Sequence, residues 1–115
     1  MARKHVISKK FIDSQSVTSD YTSEVLNVAQ TDSGSIHLSW TGSSPSIVVN
    51  VQVRNGEKDT FRSLDFGSTI SISGSSGEHE LIFNSMPFTE MKLFLDHSSG
   101  SAVVTANFTF KSEGA

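Results

Sequence analysis

The fold of this chain is decided most clearly by residues Ile47–Arg54, which read IVVNVQVR. Ile47, Val49, Val51 and Val53 occupy every second position, and a strand points every second side chain to the same face of its sheet. A register shift of one residue would move this apolar set into water, so the register is well specified. The stretch therefore predicts a β-strand with one buried face.

The same two-residue alternation recurs along the chain. The stretches that show it are Ser35–Thr41, Ser68–Ser73, Glu78–Asn84, Thr89–Asp96 and Val103–Phe110. The shorter stretches Phe11-Ile12, Val17–Tyr21 and Val25–Val28 predict one or two further short strands. Strands at intervals of roughly 8–14 residues are typical of a β-sandwich. The sequence predicts an all-β protein, a single antiparallel β-sandwich or jelly roll of about eight strands.

Turn-forming residues separate these runs. Asn55-Gly56 predicts a tight turn, because both residues tolerate positive φ. Thr41–Pro45 is expected to break one strand from the next, and Ser73–Gly77 and Asp96–Gly100 are expected to be flexible connectors. The β-prone stretches Ile47–Val53 and Val103–Phe110 carry little charge, so we expect them inside a sheet or paired across a subunit boundary.

Charge divides the chain into two parts. Residues 1–12 carry a charge of +4 and no acid, whereas residues 13–115 carry −7. The basic residues of the first part are Arg3, Lys4, Lys9 and Lys10. We therefore predict an extended basic N-terminal arm over 1–12 and a β-sandwich domain over 13–115. A basic arm suits an acidic surface, such as a neighbouring copy of the protein, and these four residues are candidate interface residues.

The amino-acid composition limits the cellular compartment and the classes of partner that we expect. The 115 residues include 22 Ser, 9 Thr and no Cys, and the net charge is −3. The absence of cysteine favours folding in a reducing compartment, and no apolar run is long enough for a signal peptide or a membrane span. The net charge argues against nucleic-acid binding. We expect a protein made in and released into a cytoplasm, without a membrane or nucleic-acid partner.

The titratable residues do not predict catalysis or a bound cofactor. The four histidines are far apart in sequence, and no cysteine is present to complete a transition-metal site. Asp96-His97-Ser98 is a polar turn, because the members of a catalytic triad converge from distant positions. Glu78 and Glu80 share a strand face and are interpreted as a solvated surface. We expect no catalytic residues, no metal site and no enzyme activity.

The aromatic residues divide into core and surface candidates. Trp40 is in register with Ile36 and Leu38, which predicts that it packs in the core. Tyr21 lies in a polar stretch, and Phe94 points away from the apolar face of its strand. An outward aromatic side chain often marks an interface. Tyr21 and Phe94 are therefore candidate contacts for a subunit or partner.

An ordered series of weak motifs gives the chain a resemblance to a known class. The motifs are Ile36–Gly42, Val51–Gly56, Leu64–Gly67, Met86–Phe88, Lys92-Leu93, Ser98–Ser101 and Phe110-Lys111. Over about residues 17–111 this order resembles the small β-sandwich structural proteins of tailed bacteriophages, of the head decoration (cement) or minor tail type. The chain departs from the pattern at Phe61, where a tryptophan is usual, and at Lys92, where an arginine is usual.

The resemblance implies a non-enzymatic phage virion protein assembled in the host cytoplasm. Decoration of the head is preferred to a tail role. The implied partners are other virion proteins and further copies of the chain, with a trimer favoured among homo-oligomers. The alternative is a glycan- or receptor-binding β-sandwich module. Its loops would be Gly42–Pro45, Ser73–Gly77 and Asp96–Gly100, and loss of binding on Tyr21→Ala or Trp40→Ala would support it.

Overall fold

Eight antiparallel strands make up the fold in a computed structural model that describes residues 4–29, 31, 33–64 and 69–113, with side chains from residue 8 to residue 110. The strands are β1 (Lys4–Val17), β2 (Tyr21–Thr22), β3 (Leu26–Asn27), β4 (Ser33–Arg54), β5 (Arg62–Ser63), β6 (Ile70–Ser73), β7 (Ser76–Phe83) and β8 (Glu90–Glu113). The described residues contain no helix, and hence none that could cross a bilayer. The predicted all-β fold of about eight strands is confirmed.

Strands β4 and β8 form a central ribbon. They pair with each other along almost their whole lengths, from Ser33↔Lys111 to Arg54↔Glu90. The first half-sheet consists of β1, the C-terminal half of β8, the N-terminal half of β4, and β7. The second half-sheet consists of β2 and β3, the other halves of β8 and β4, and β5 and β6. The β-prone stretches of β4 and β8 therefore lie inside the sheet, as predicted.

The ribbon bends at its middle. The pairing register shifts between Ser43 and Ser46, where Ser44 has a φ of 47°. On the facing strand Gly100 has a φ of 72°, and a Cβ at this position would overlap the Ser44 carbonyl oxygen. The bend is therefore an irregularity in both strands, at which the backbones of β4 and β8 are in direct contact. It turns one long ribbon into the two layers of a jelly roll.

Two predicted turns are corrected by this bend. Thr41–Pro45 does not separate two strands, because it lies inside β4, and Asp96–Gly100 lies inside β8. The two segments face each other and stay paired through Ser43↔Ser101 and Ser46↔Ser99. Glycine and serine suit a bulge as well as a turn, since both structures need unusual backbone angles. Ser73–Gly77, in contrast, does connect β6 to β7.

One hydrophobic core is shared by both half-sheets. The alternating residues of β4 and β8 point inward and are buried, including Ile36 and Leu38 from the first half-sheet and Val51 and Leu93 from the second. Ser23 is one of the few buried polar residues. Its hydroxyl accepts a hydrogen bond from the Leu93 N–H at 2.8 Å, which attaches the short edge strands to β8. Burial thus follows the two-residue alternation read from the sequence.

The N-terminal segment is part of the sheet. Strand β1 pairs with β8 in an unbroken register from Lys4↔Glu113 to Lys10↔Asn107 and then becomes irregular near Ser14, whose φ is 48°. Phe11 and Ile12 are both buried in the core. A division of the chain at residue 12 stays a prediction. Its test needs substitutions, because deleting residues 1–12 would also remove these two core side chains.

Trp40 and His79 join the two half-sheets along one side of the sandwich. The Trp40 indole N–H donates a hydrogen bond of 3.0 Å to the carbonyl oxygen of Ser73 in β6. His79 Nε2 donates to the carbonyl oxygen of Ser71 at 2.9 Å, and its ring lies 5.3 Å from that of Trp40. Trp40 is only 7% exposed, so its predicted place in the core is confirmed.

Candidate interaction surfaces

Three of the four basic residues predicted as interface residues, Lys4, Lys9 and Lys10, lie on β1, and two of them contact acids of the same chain. Lys9 Nζ is 3.4 Å from a Glu24 carboxylate oxygen, and Lys10 Nζ is 3.8 Å from one of Asp13. The four side chains are about half exposed or more, so the lysines remain accessible to a further acidic group. The backbone of Lys4 pairs with Glu113. Arg3 lies outside the described residues.

Tyr21 and Phe94 lie on neighbouring strands but do not share a face. Tyr21 pairs with Leu95, whose side chain is buried, and Tyr21 itself packs partly against the core. Phe94 pairs with Thr22 on one side and Asn50 on the other, and points to the outer face of the second half-sheet. Its side chain is half-buried. Phe94 therefore offers apolar surface outward, whereas Tyr21 contributes mainly to the inner side.

A cluster of cations around one aromatic ring occupies the same outer face. The Arg54 guanidinium carbon lies 4.3 Å from the centroid of the Phe61 ring, and Lys92 Nζ lies 4.1 Å from it. Arg54 Nε also donates to a Glu90 carboxylate oxygen at 3.0 Å, and these two side chains are 20% and 19% exposed. Each exposed cation–aromatic contact is worth about 0.5–1 kcal/mol. The cluster holds the segment after β4 against the sheet.

Sequence reasoning did not single out this cluster. The alternation does place Arg54 and Lys92 on outward positions, but Phe61 lies between strands, where no periodicity indicates its direction. Phe61 and Lys92 are also the two positions at which the chain departs from the phage pattern. The structure brings these two departures into contact.

Asp59 organises the loop that carries Phe61. Its carboxylate accepts hydrogen bonds of 2.9 Å from the N–H groups of Asn55 and Thr60 and from the Arg62 guanidinium. The bond from Asn55, then that from Arg62, hold the pKa of Asp59 below its ordinary value of 3.8. Gly56, with a φ of 109°, provides the turn that the Asn55-Gly56 pair predicted.

The loop should therefore respond to acid. Because the folded-state pKa of Asp59 is lowered, the ionised carboxylate stabilises the loop above the ordinary pKa, and this contribution is lost as the pH falls through the folded pKa. In an NMR titration we expect the Asn55 and Thr60 amide resonances to move with one midpoint below 3.8. Asp59→Asn should abolish that transition. A midpoint at or above the ordinary value would contradict the assignment.

His37 and His97 make local contacts. His37 Nε2 lies 3.3 Å from a Glu78 carboxylate oxygen on the outer face of the first half-sheet, where both side chains are exposed. His97 Nε2 donates to the Gly100 carbonyl oxygen at 2.7 Å, and its N–H donates to Asp20 at 2.9 Å. No three or more His, Cys, Asp or Glu side chains group as metal ligands in the part of the chain that the structure describes.

Two open cavities border the strands at the edges of the first half-sheet. One has a volume of about 380 Å³ and is lined by Glu80, Ile82 and Phe110, among others. The other has a volume of about 310 Å³ and is lined by Lys9, Val25 and Phe110, among others. Ile82 is 66% exposed, the highest value among the exposed large apolar side chains of the described residues. Each cavity thus combines exposed apolar surface with one charged side chain, acidic beside β7 and basic beside β1.

Comparison with solved structures extends the description of the fold. The SPBc2 prophage-derived protein YomS superposes with a TM-score of 0.62 at 19% identity, over 96% of this chain and 96% of that chain. A chain of the infectious bursal disease virus Gx strain matches with a TM-score of 0.64 at 16% identity, and a chain of the VP2 subviral particle of that virus with 0.60 at 16%. The protein spans about a third of those virus chains. These likenesses show a shared jelly-roll fold.

At the level of sequence, the chain matches no protein-family model and no curated protein.

The aromatic residues named for the glycan-binding alternative are not exposed platforms. Trp40 is buried and its indole N–H is bonded to Ser73, while Tyr21 packs partly against the core. The three segments considered as glycan loops do approach one another, since the Gly42 N–H donates to the Ser75 carbonyl oxygen at 2.9 Å and Gly100 lies against the Ser44 carbonyl group. Two of the three, however, are paired strand segments.

Proposed function

We propose that this protein is a non-enzymatic structural component of a phage virion. It decorates the outside of the head, associates with copies of itself and contacts other virion proteins. The observation that carries the proposal is the structural match to a prophage-derived protein over 96% of both chains. The same jelly roll forms part of chains from infectious bursal disease virus and its subviral particle, so the fold is one that suits shell building.

The surfaces of the molecule support an assembly role. Phe94 presents a half-buried ring on the outer face of the second half-sheet, beside the cluster formed by Arg54, Phe61 and Lys92. Aromatic and arginine side chains are enriched where protein partners meet. We assign this face to the contact with the underlying shell. Arg3, Lys4, Lys9 and Lys10 are assigned to the contact between copies.

Purified particles test the proposal directly. We expect quantitative mass spectrometry of particles from the phage or lysogen that encodes this chain to find it in many copies, and antibody labelling to place it on the head surface. A chain that is abundant in the lysate but absent from purified particles would refute virion membership. Labelling confined to the tail would refute decoration of the head.

A matched pair of variants tests the assigned face. Phe94→Ser should lower the amount of protein retained on particles at least tenfold, because it removes an apolar contact surface. Val103→Ser is the control, since Val103 is an outward apolar residue, 43% exposed, on the first half-sheet. It should bind particles like the wild type. Equal loss for the two variants, or no loss for either, would contradict the assignment of this face.

A further inference from the structure

The two half-sheets end very differently at their edges. The edges of the second half-sheet are built from β2, β3, β5 and β6, none longer than four residues. The first half-sheet ends on β1, with 14 residues, and on β7, with 8. Among the described residues, each of these two strands has a ladder on one side only. Short edge strands protect a sheet from unwanted pairing, and long open ones invite it.

The two long edges carry opposite charge. Strand β7 presents Glu78 and Glu80 on its exposed face, and the Glu78 side chain is 73% exposed. On β1, Lys10 lies on the same outer face as Glu78 and Glu80, and half of its side chain is exposed. Lys9 points to the other face, where it is paired with Glu24 of the same chain. Lysines alone can protect an edge from pairing. Here the acids on the opposite edge make Lys10 complementary to another copy of the chain.

Charge also decides which edges can meet. Pairing β7 with β7 would bring Glu78 and Glu80 against the same residues of the neighbour, and pairing β1 with β1 would do the same for Lys10. Like charges directly opposite each other destabilise a strand pair. Pairing β1 with β7 brings opposite charges together. The lengths agree as well, because β1 is regular over seven residues, Lys4–Lys10, and β7 over eight, Ser76–Phe83.

We propose that copies of this protein join edge to edge, with β1 of one copy added to β7 of the next as an antiparallel strand. The antiparallel direction follows from continuing the first half-sheet, because successive strands from β1 through β8 and β4 to β7 run in opposite directions. A register that sets Glu78 opposite Lys10 also sets Ile82 opposite Val6. It covers the most exposed apolar side chain described and the cavity beside it.

Such a contact joins two different surfaces of the same protein. A head-to-tail contact of this kind closes into a ring when its rotation allows. The inference rests on the self-association in the proposed function and names the surface and the partner, a second copy of the chain. The backbone ladder would supply affinity, and the charges would supply direction, as in other cases of strand addition.

Charge reversal tests the contact. The measured quantity is the molar mass of the purified full chain in light scattering. We expect the wild type to form a multiple of 12.4 kDa. Glu78→Lys with Glu80→Lys makes both edges basic, and Lys10→Glu with Ser8→Glu, the two exposed positions opposite Glu78 and Glu80, makes both acidic. Each double variant should fall to the monomer mass. The variant with all four substitutions exchanges the two charges and should recover the wild-type mass.

Controls separate this contact from a general effect of charge. Glu57→Lys with Asp96→Lys makes the same charge change at exposed positions away from both edges, and should keep the wild-type mass. Circular dichroism should report the same β signal for all variants. Hydrogen exchange in β1 and β7 should slow as the wild-type concentration rises.

Three results would overturn the edge contact. They are a wild type that stays monomeric at millimolar concentration, double variants that keep the wild-type mass, and a fourfold variant that fails to recover it. None of them bears on virion membership, which the composition of purified particles decides separately.

Discussion

Replacing Gly100 by alanine should destabilise the fold by about 4 kcal/mol. Gly100 has a φ of 72°, a backbone conformation that disfavours any residue with a Cβ. The new Cβ would overlap the Ser44 carbonyl oxygen and lie 2.8 Å from the Pro45 Cα. These are backbone atoms of the facing strand, so the clash can be relieved only by opening the bend. Urea unfolding monitored by circular dichroism measures the loss.

Gly74 provides a control for the backbone conformation alone. Its φ is 77°, close to that of Gly100, but the nearest heavy atom to an added Cβ is the Ser76 carbonyl oxygen at 3.9 Å. Gly74→Ala should therefore cost only the conformational strain, about 1 kcal/mol. If Gly100→Ala and Gly74→Ala were equally destabilising, the close approach of β4 and β8 at the bend would be wrong.

Trp40→Ala should cost about 3–5 kcal/mol, a loss comparable to that of Gly100→Ala. The change removes a buried indole that packs over Gly77, where an added Cβ would overlap the ring. It also leaves the Ser73 carbonyl oxygen without its indole donor. The same urea unfolding measures the effect. Lost glycan binding by this variant would therefore report on the fold rather than on a ligand contact.

Trp40→Phe separates the ring from the hydrogen bond. Phenylalanine keeps most of the apolar volume but has no N–H group for Ser73. We expect a loss of about 1–2 kcal/mol, from one unsatisfied carbonyl and a small change in packing. A variant as unstable as Trp40→Ala would show that the indole N–H, and not the buried ring, holds β6 to β4.

The sequence predicts burial well because alternation and burial have the same physical cause. Val49 and Val51 on β4, and Leu93 and Val104 on β8, are buried as their register requires. Trp40 follows the same rule. Each of these residues lies in a strand with one face toward the core, where a single-residue shift would be costly.

The course of the chain between strands is less predictable. Thr41–Pro45 and Asp96–Gly100 have the composition of turns, yet they form the bend of a continuous ribbon. The difference depends on whether a partner strand lies opposite, and for Ser44 that partner is Gly100, more than fifty positions along the chain. Local propensity cannot report such a long-range contact. The pairing of β1 with β8 escaped prediction for the same reason.

The candidate surfaces were predicted only in part. Period-two reasoning placed Phe94 outward, and charge drew attention to Lys9 and Lys10. The Phe61 cluster and the acidic β7 edge opposite the basic β1 edge depend on strand order, which is a tertiary property. Tyr21 shows that local composition does not predict burial reliably, because its ring packs against the core despite a polar sequence context.

All of these surfaces depend on one ribbon folded back on itself, and nuclear Overhauser effects test that directly. We expect cross-strand Hα–Hα contacts between β4 and β8 on both sides of the bend, toward Ser33 and toward Arg54. The Trp40 indole proton should also show contacts to protons of Ile72 and Ser73 in β6. Strand pairing on only one side of Ser44 and Gly100, without the indole contacts, would contradict the jelly roll and the surfaces assigned to it.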